Sequence, residues 1–387
     1  MTLRLLLSVS PGQVWAALAA ESELEAFNLF RGCGQALVGD IYRGRVVALQ
    51  PELGAFIDVG YDRPGFLRVE DMPRGTKLRE GEAVIVEVAK EARADKAPGL
   101  TMKLDRPIEP IRSARSPALL DRRETPLESA VRLFATSNPD AIVIDDAGAL
   151  ASARAWLKRH HAGLVDKLFL HGEASALFEA FGVAAAIEAL QQPRVALGGG
   201  GAITIETTAA ATMIDVDGGR AKAVPVNLAA ARAIARQIRL RNLSGPIVID
   251  FITMKRRPDR ERVKATLIEA LGEDGDFQFP GWTRLGHFEL VRKRRGASLA
   301  EILFEHEPGG TPTKSSLTVA LDALRAAERQ NRGEPGRRIA LRVHAAVAAS
   351  LARQANDALR TLEAKLGYPL DILVGPYQRD HFEMVPS

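Results

Sequence analysis

The sequence predicts an α+β multidomain protein, and three observations predict it. At 387 residues and 41.8 kDa the chain exceeds what one ordinary core holds together, so more than one domain is expected. Between Gly39 and Val88 short alternating runs are punctuated by glycine, which suggests a small barrel. Beyond Pro126 helical and strand-like patterns alternate, as in a mixed α/β region.

The opening residues read as a strand from Leu3, a turn at Pro11-Gly12, a second strand over Val14 to Ala20 and a third ending near Phe30. The barrel segment follows. In its Ala55–Val59 run, Ala55, Ile57 and Val59 share one face while Phe56 and Asp58 share the other. An outward Phe56 with Phe66 and the basic Arg43, Arg45 and Lys96 makes the pattern of stacking plus charge that binds single strands. A place in the barrel core is the alternative for both phenylalanines.

Residues 106–126 are rich in Pro, Arg and Ser and read as a connection. Helices are then expected over 126–134, 149–159 and 174–190, with a strand at Ala141 to Asp145. The run Gly198 to Gly201 lacks the Lys-Ser/Thr of a phosphate loop and reads as a turn into a strand. Glu305 to Thr313 is a linker by composition, and a small α/β module of helix, strand, helix and strand follows it.

The most informative residues lie at Thr212 to Gly219 and Gly245 to Phe251, where acidic side chains interrupt apolar, strand-like runs. A buried carboxylate is costly without a cation, a hydrogen-bond network or open water. Alternation puts Asp215 and Asp217 on one face and Ile214 and Val216 on the other, and Asp250 closes the second run. If the two strands are neighbours, two or three carboxylates converge. Such oxygen clusters suit magnesium, which takes one or two carboxylates and completes its shell with water and substrate phosphate. Spacing alone leaves open that one or two of these aspartates cap turns or pair with arginines.

The surrounding charge tilts the reading. From Gly218 to Lys264 there are twelve Lys/Arg against three acids. A carboxylate core in a basic field suits a metal-dependent enzyme acting on a polyanion. Between the acidic strands Leu228, Ala231, Ala235 and Ile238 repeat at helical spacing, with Asn227 a candidate N-cap and Arg232, Arg236 and Arg239 on another face.

The net charge is only +4, so the clustering carries more information than the total. A lone cysteine, Cys33, excludes an internal disulfide and any cysteine-based zinc cluster, and reads as a buried small apolar residue. No run approaches the ~20 apolar residues that span a bilayer, and no cleavable leader is evident, so a cytoplasmic location is expected.

With these residues in view, the chain resembles the ribonuclease E/G family of bacterial endoribonucleases. Met213 to Asp217, Ile247 to Phe251 and the run Ala233 to Arg241 between them carry the likeness, which covers most of the sequence. The resemblance implies a ribonuclease H-like fold over 1–34 and 108–197, an S1-type OB barrel over 35–107, a deoxyribonuclease I-like catalytic subdomain over 198–305 and a small C-terminal domain over 314–387. It implies that Asp215 and Asp250 hold a catalytic magnesium (Mg2+), with manganese able to substitute. Asp217 sits where the family usually carries an asparagine that positions the first aspartate. Phe56, Phe66 and Lys96 match positions that grip RNA, and Arg43, Arg220, Lys222, Arg236 and Arg239 are candidates to neutralise phosphate. Two family accessories have no counterpart here, the arginine-threonine segment that senses a 5′-monophosphate and the paired-cysteine zinc linker.

The function expected is a magnesium-dependent endoribonuclease that cuts single-stranded RNA, in RNA processing or decay, to give 5′-phosphate and 3′-hydroxyl ends. The competing expectation is an RNA-binding protein that no longer cleaves. No zinc is expected, and any homodimer would form without it.

Overall fold

In the computed structural model of the chain, residues 2–34, 36–61, 63–90, 97–108, 115–173, 175–208, 210–272, 276–294, 296–305, 312–334 and 336–386 are described. They form two compact units. One comprises 1–9, 14–29 and 132–318, the other 10–13, 30–131 and 319–387.

Among the described residues the first unit contains a five-stranded sheet, a six-stranded sheet and a two-stranded pair, Phe304–Glu305 with Thr313–Lys314. Its five-stranded sheet runs in the order Leu168–Leu170, Ala141–Ile144, Leu3–Ser10, Gln13–Ala20, Glu23–Arg31. Leu3–Ser10 and Ala141–Ile144 pair in parallel, as do Ala141–Ile144 and Leu168–Leu170. The expected helix over 174–190 is two short ones, Leu177–Ala180 and Ala184–Ala189. The break falls at Gly182, whose φ of +71° is a left-handed value that no helix contains. Both pieces still contribute to the core, through Leu177, Phe178, Ile187 and the intervening Val183.

The second sheet of this unit has six strands, ordered Arg194–Ala196, Ala202–Thr207, Thr212–Asp217, Gly245–Asp250, Phe288–Arg292, Phe277–Trp282. Thr212–Asp217 and Gly245–Asp250 are parallel neighbours joined by the 18-residue helix Ala223–Leu240, the crossover that parallel strands require. This helix and Arg257–Leu271 pack on one face of the sheet. Ile203, Ile214, Val216, Ile247, Ile249, Phe288 and Leu290 point from the strands into that core, and Ala230, Ile234, Ile238, Val263 and Leu267 meet them from the helices. The sheet's other face is open. Its edges are a three-residue strand at one side and, at the other, the strand Phe277–Trp282, interrupted by a bulge between Gln278 and Gly281.

The helix Ala223–Leu240 begins four residues before the expected N-cap, with Lys222 at its start. Pro225 is tolerated there because the first turn has no N–H partner to lose. Asn227 therefore lies inside the helix and is fully buried, which corrects its reading as a cap.

In the second unit, Ile41–Gln50, Gly54–Asp58, Gly65–Arg68, Ala83–Lys90 and Gly99–Thr101 form a closed five-stranded barrel, the ring closing between Ile41–Gln50 and Gly54–Asp58. Ala118–Asp121, inside the expected connection, adds a strand beside Ile41–Gln50. Tyr42, Val46, Ala55, Ile57, Leu67, Val86 and Leu100 fill the barrel. The C-terminal module has its expected helix at Ser316–Gly333 and strand at Ile339–Val343, then two helices, Ala345–Ala352 and Asn356–Leu366. Asp371–Val374 pairs with Ile339–Val343 in parallel and a further strand, Phe382–Pro386, pairs with it on the other side. Cys33 is buried as expected, and burial pushes its thiol up to about 11. Among the described residues no helix is long and apolar enough to cross a membrane.

Gly54 closes the barrel's first hairpin with φ +150°, and a Cβ there would collide with the Leu67 carbonyl. Gly54→Ala is expected to destabilise the barrel by about 3 kcal/mol, from the disfavoured backbone and the clash together. A urea titration followed by tryptophan-independent far-ultraviolet dichroism reads this as a lower midpoint.

Candidate active site

The open sheet face carries a row of polar side chains. Asp215 lies opposite Asp250 in the parallel pair and opposite Thr204 in the antiparallel one, and Thr204 lies opposite Arg194. Neighbouring strands are about 4.8 Å apart. Two carboxylates on adjacent strands and the same face are thus close enough to share one ion. Both are exposed, Asp250 with 56% of its side chain accessible, so their charges keep contact with water.

The row continues beyond Asp250. Ile249 pairs with Phe288, so the next residue back along that antiparallel strand is His287. Its Nε2 lies 3.8 Å from Asp250 Oδ1, too long for a direct hydrogen bond and close enough for an ion pair when the ring is protonated. Arg194, Thr204 and His287 were not singled out from the sequence. They come from strands distant along the chain, and only the sheet's register assembles them.

Asp217 does not join the pair. Its Oδ1 accepts from the Gly219 N–H at 2.9 Å, and Oδ2 lies 3.7 Å from Arg194 Nη2. Arg194 so offsets the charge that a carboxylate adds at this position. Among the described residues no three His, Cys, Asp or Glu side chains gather as a metal-holding group. A pair of carboxylates is nonetheless a donor set that suits magnesium, which retains several waters and takes remaining ligands from phosphate.

The end of the second acidic strand is held from below. Asn227 donates from Nδ2 to the Ile252 carbonyl at 2.8 Å and accepts the Ile252 N–H at Oδ1 at 3.1 Å. That two-way clasp fixes the backbone two residues after Asp250. Gly218 gives the same segment room, since a Cβ there would lie 2.5 Å from Ile252 Cδ1.

The basic candidates divide. Arg220 and Lys222 are exposed in the loop that leaves the first acidic strand. Arg236 and Arg239 are half-buried and placed differently. They sit on the helix that covers the opposite face of the sheet, Arg236 donating to the Leu24 carbonyl at 2.8 Å and Arg239 to the Ala270 carbonyl at 2.7 Å. Their guanidiniums satisfy backbone carbonyls at the helix's flanks.

On the barrel, Phe56 and Phe66 are cross-strand partners with ring centroids 5.0 Å apart at 52°. Both are half-buried and neither belongs to the barrel's core cluster, so the alternation that placed Phe56 outward holds. Arg43 is half-buried on the adjoining strand, and Arg45 donates to the Ser116 carbonyl at 3.2 Å. Lys96 lies outside the described residues.

Fold and row together define a mixed α+β protein with a closed barrel in one unit and an open-faced, carboxylate-bearing sheet in the other. The family model described as Ribonuclease E/G family matches residues 83–295, more than half of the chain, and the chain belongs to that family. Ribonuclease G of Haemophilus influenzae is 27% identical over 422 aligned positions, covering 83% of this chain and 86% of that protein. Ribonuclease G of Salmonella typhimurium is 25% identical over 487 positions that cover both chains fully, so the shortening to 387 residues falls within the aligned span. Ribonuclease E of a Nostoc species is 37% identical over 202 positions, 49% of this chain and 29% of its own length.

Asn227→Leu leaves the half-buried Ile252 N–H and carbonyl without their side-chain partners, which costs about 1 to 3 kcal/mol. The expected result is a lower unfolding midpoint by calorimetry, together with a loss of any activity that depends on Asp250 at temperatures where the variant is still folded.

Proposed function

We propose that this chain is a magnesium-dependent endoribonuclease that cuts single-stranded RNA within the strand and leaves 5′-phosphate and 3′-hydroxyl ends. Endoribonuclease activity follows from the family. The observation that carries the metal and the site is the register that sets Asp215 beside Asp250 on an open sheet face.

In this reading Asp215 and Asp250 hold the ion. When bound, magnesium would supply positive charge against the scissile phosphate and lower the pKa of a water molecule, so that its loss of a proton makes a nucleophile available. Manganese, which also favours oxygen ligands, would substitute. Asp217 shapes the end of its strand through Gly219 and Arg194. Arg220 and Lys222 neutralise phosphates that flank the cut, and each exposed cation so used adds to the salt dependence of binding. Phe56 and Phe66 stack on bases of the strand, with Arg43 and Lys96 contributing charge.

The finer fold assignment belongs to the same reading. Residues 1–34 with 108–197 form a ribonuclease H-like part, 35–107 the S1-type barrel, 198–305 a deoxyribonuclease I-like subdomain, and 314–387 a small terminal domain. A single cysteine supports a zinc-free protein, so that self-association would rest on apolar or ionic surfaces. The cytoplasm is the compartment this composition suits.

Asp215→Asn and Asp250→Asn are expected to abolish cleavage of a short unstructured RNA in magnesium or manganese while retaining RNA affinity, because each neutralises a ligand and also reduces repulsion toward phosphate. Cleavage at the wild-type rate by either variant, read on a denaturing gel, would sink the site assignment; absence of cleavage by the wild type would favour an RNA-binding protein instead. Asp217→Asn is expected to preserve or raise activity in the same assay, and complete inactivation would make Asp217 a third ligand.

Phe56→Ala is expected to weaken binding of single-stranded RNA by roughly 1–3 kcal/mol, the range for loss of one base stack. Fluorescence anisotropy across a salt series separates this loss, which is nearly constant with salt, from the shallower slope that Lys96→Ala should give. An unaltered affinity for Phe56→Ala would return that ring to a packing role.

A further inference from the structure

We infer that the turn Thr283–His287 seats an unpaired nucleobase beside the scissile phosphate, with Leu285 as the base contact and Arg284 as a clamp on the adjoining phosphate; this rests on the endoribonuclease reading above. Leu285 is 86% exposed, more than any other large apolar side chain among the described residues. A lone exposed leucine is ordinary on a protein surface. Its position is what makes this one informative.

The turn is a rigid hairpin tip. The Thr283 N–H donates to the His287 carbonyl at 2.8 Å, the Gly286 N–H to the Thr283 carbonyl at 3.2 Å, and the His287 N–H to Thr283 Oγ1 at 3.1 Å. Gly286, at φ +99°, allows the chain to reverse. Leu285 thus stands on a fixed platform and gives up little backbone freedom when something packs against it. The descending limb of the same turn ends at His287, 3.8 Å from Asp250. Two residues span at most about 7 Å of chain, so the exposed leucine is tied to the reaction row by a short, stiff link.

The chemistry of the tip matches a nucleotide. An apolar side chain offers a base an uncharged face, and the exposed Arg284 next to it offers the phosphate a charge. A second apolar contact lies on the sheet itself. Met213, 40% exposed, is two residues before Asp215 on the same face and opposite Val248. Met213 therefore adjoins the carboxylate pair along the sheet, and Leu285 is two residues along the chain from the His287 that ends the row. A paired base would present its edge to its partner and keep its faces stacked, so this arrangement selects bases freed from a duplex.

The test is a double-substitution cycle between protein and RNA. One short RNA cut at a single site is compared with versions that carry an abasic nucleotide immediately before or after the cut. Leu285→Ser is expected to lower kcat/KM on the intact RNA about five- to tenfold, the scale of one partly buried leucine contact, and to cause no further loss on the version lacking the base that it seats. Leu285→Phe should restore the rate on the intact RNA. Arg284→Gln should reduce the slope of log affinity against log salt by about one. Equal losses for Leu285→Ser on intact and abasic RNA, or no loss on either, would overturn the role of the turn while leaving the nuclease reading standing. A wild-type protein that cuts none of the RNAs overturns both.

Discussion

The site depends on one register. Thr212 pairs with Ile247 at the start of the two parallel strands, and the pairing continues without a slip to Asp215 and Asp250. A shift of one residue would turn one carboxylate into the helix-covered core and bring an isoleucine onto the open face. The register is thus enforced by hydrophobic burial, since Ile214, Val216, Ile247 and Ile249 must all face the helices. The two acids are held side by side as a by-product of packing the other side of the sheet.

That coupling explains how support for the site is distributed. The crossover helix sends Asn227 to clasp the backbone after Asp250, and it spends Arg236 and Arg239 on carbonyls beneath the sheet. Polar groups that the sequence offers as functional are in part structural, because a helix packed on a sheet must satisfy the backbone at its margins. The converse holds for His287 and Arg194, which look unremarkable in sequence and stand at the two ends of the polar row.

Period-two alternation made the acidic face and the outward Phe56 legible, because a strand's faces are decided by its own residues. The row's other members were not, because partners across a sheet depend on strand order, which local pattern does not contain. Asn227 was misread for a related reason. An asparagine ahead of an apolar repeat has the form of an N-cap, and only the contact with Ile252 shows that its amide serves the neighbouring strand. The broken helix around Gly182 shows the opposite case, where one glycine outweighed a continuous apolar repeat. Asp217 illustrates a limit of substitution at constant shape. A carboxylate only accepts, so it takes the Gly219 N–H and the Arg194 guanidinium, where an amide could also have donated toward Asp215.

A sheet that leaves one face open also leaves its margins open, and unpaired strand edges recruit other strands. Both margins here are poor templates. One is a strand of only three residues, and the other carries Pro280, which has no N–H to give, within the bulge that ends at Gly281. Such margins resist edge-to-edge pairing, so this sheet can keep a polar face open without recruiting further strands at its sides.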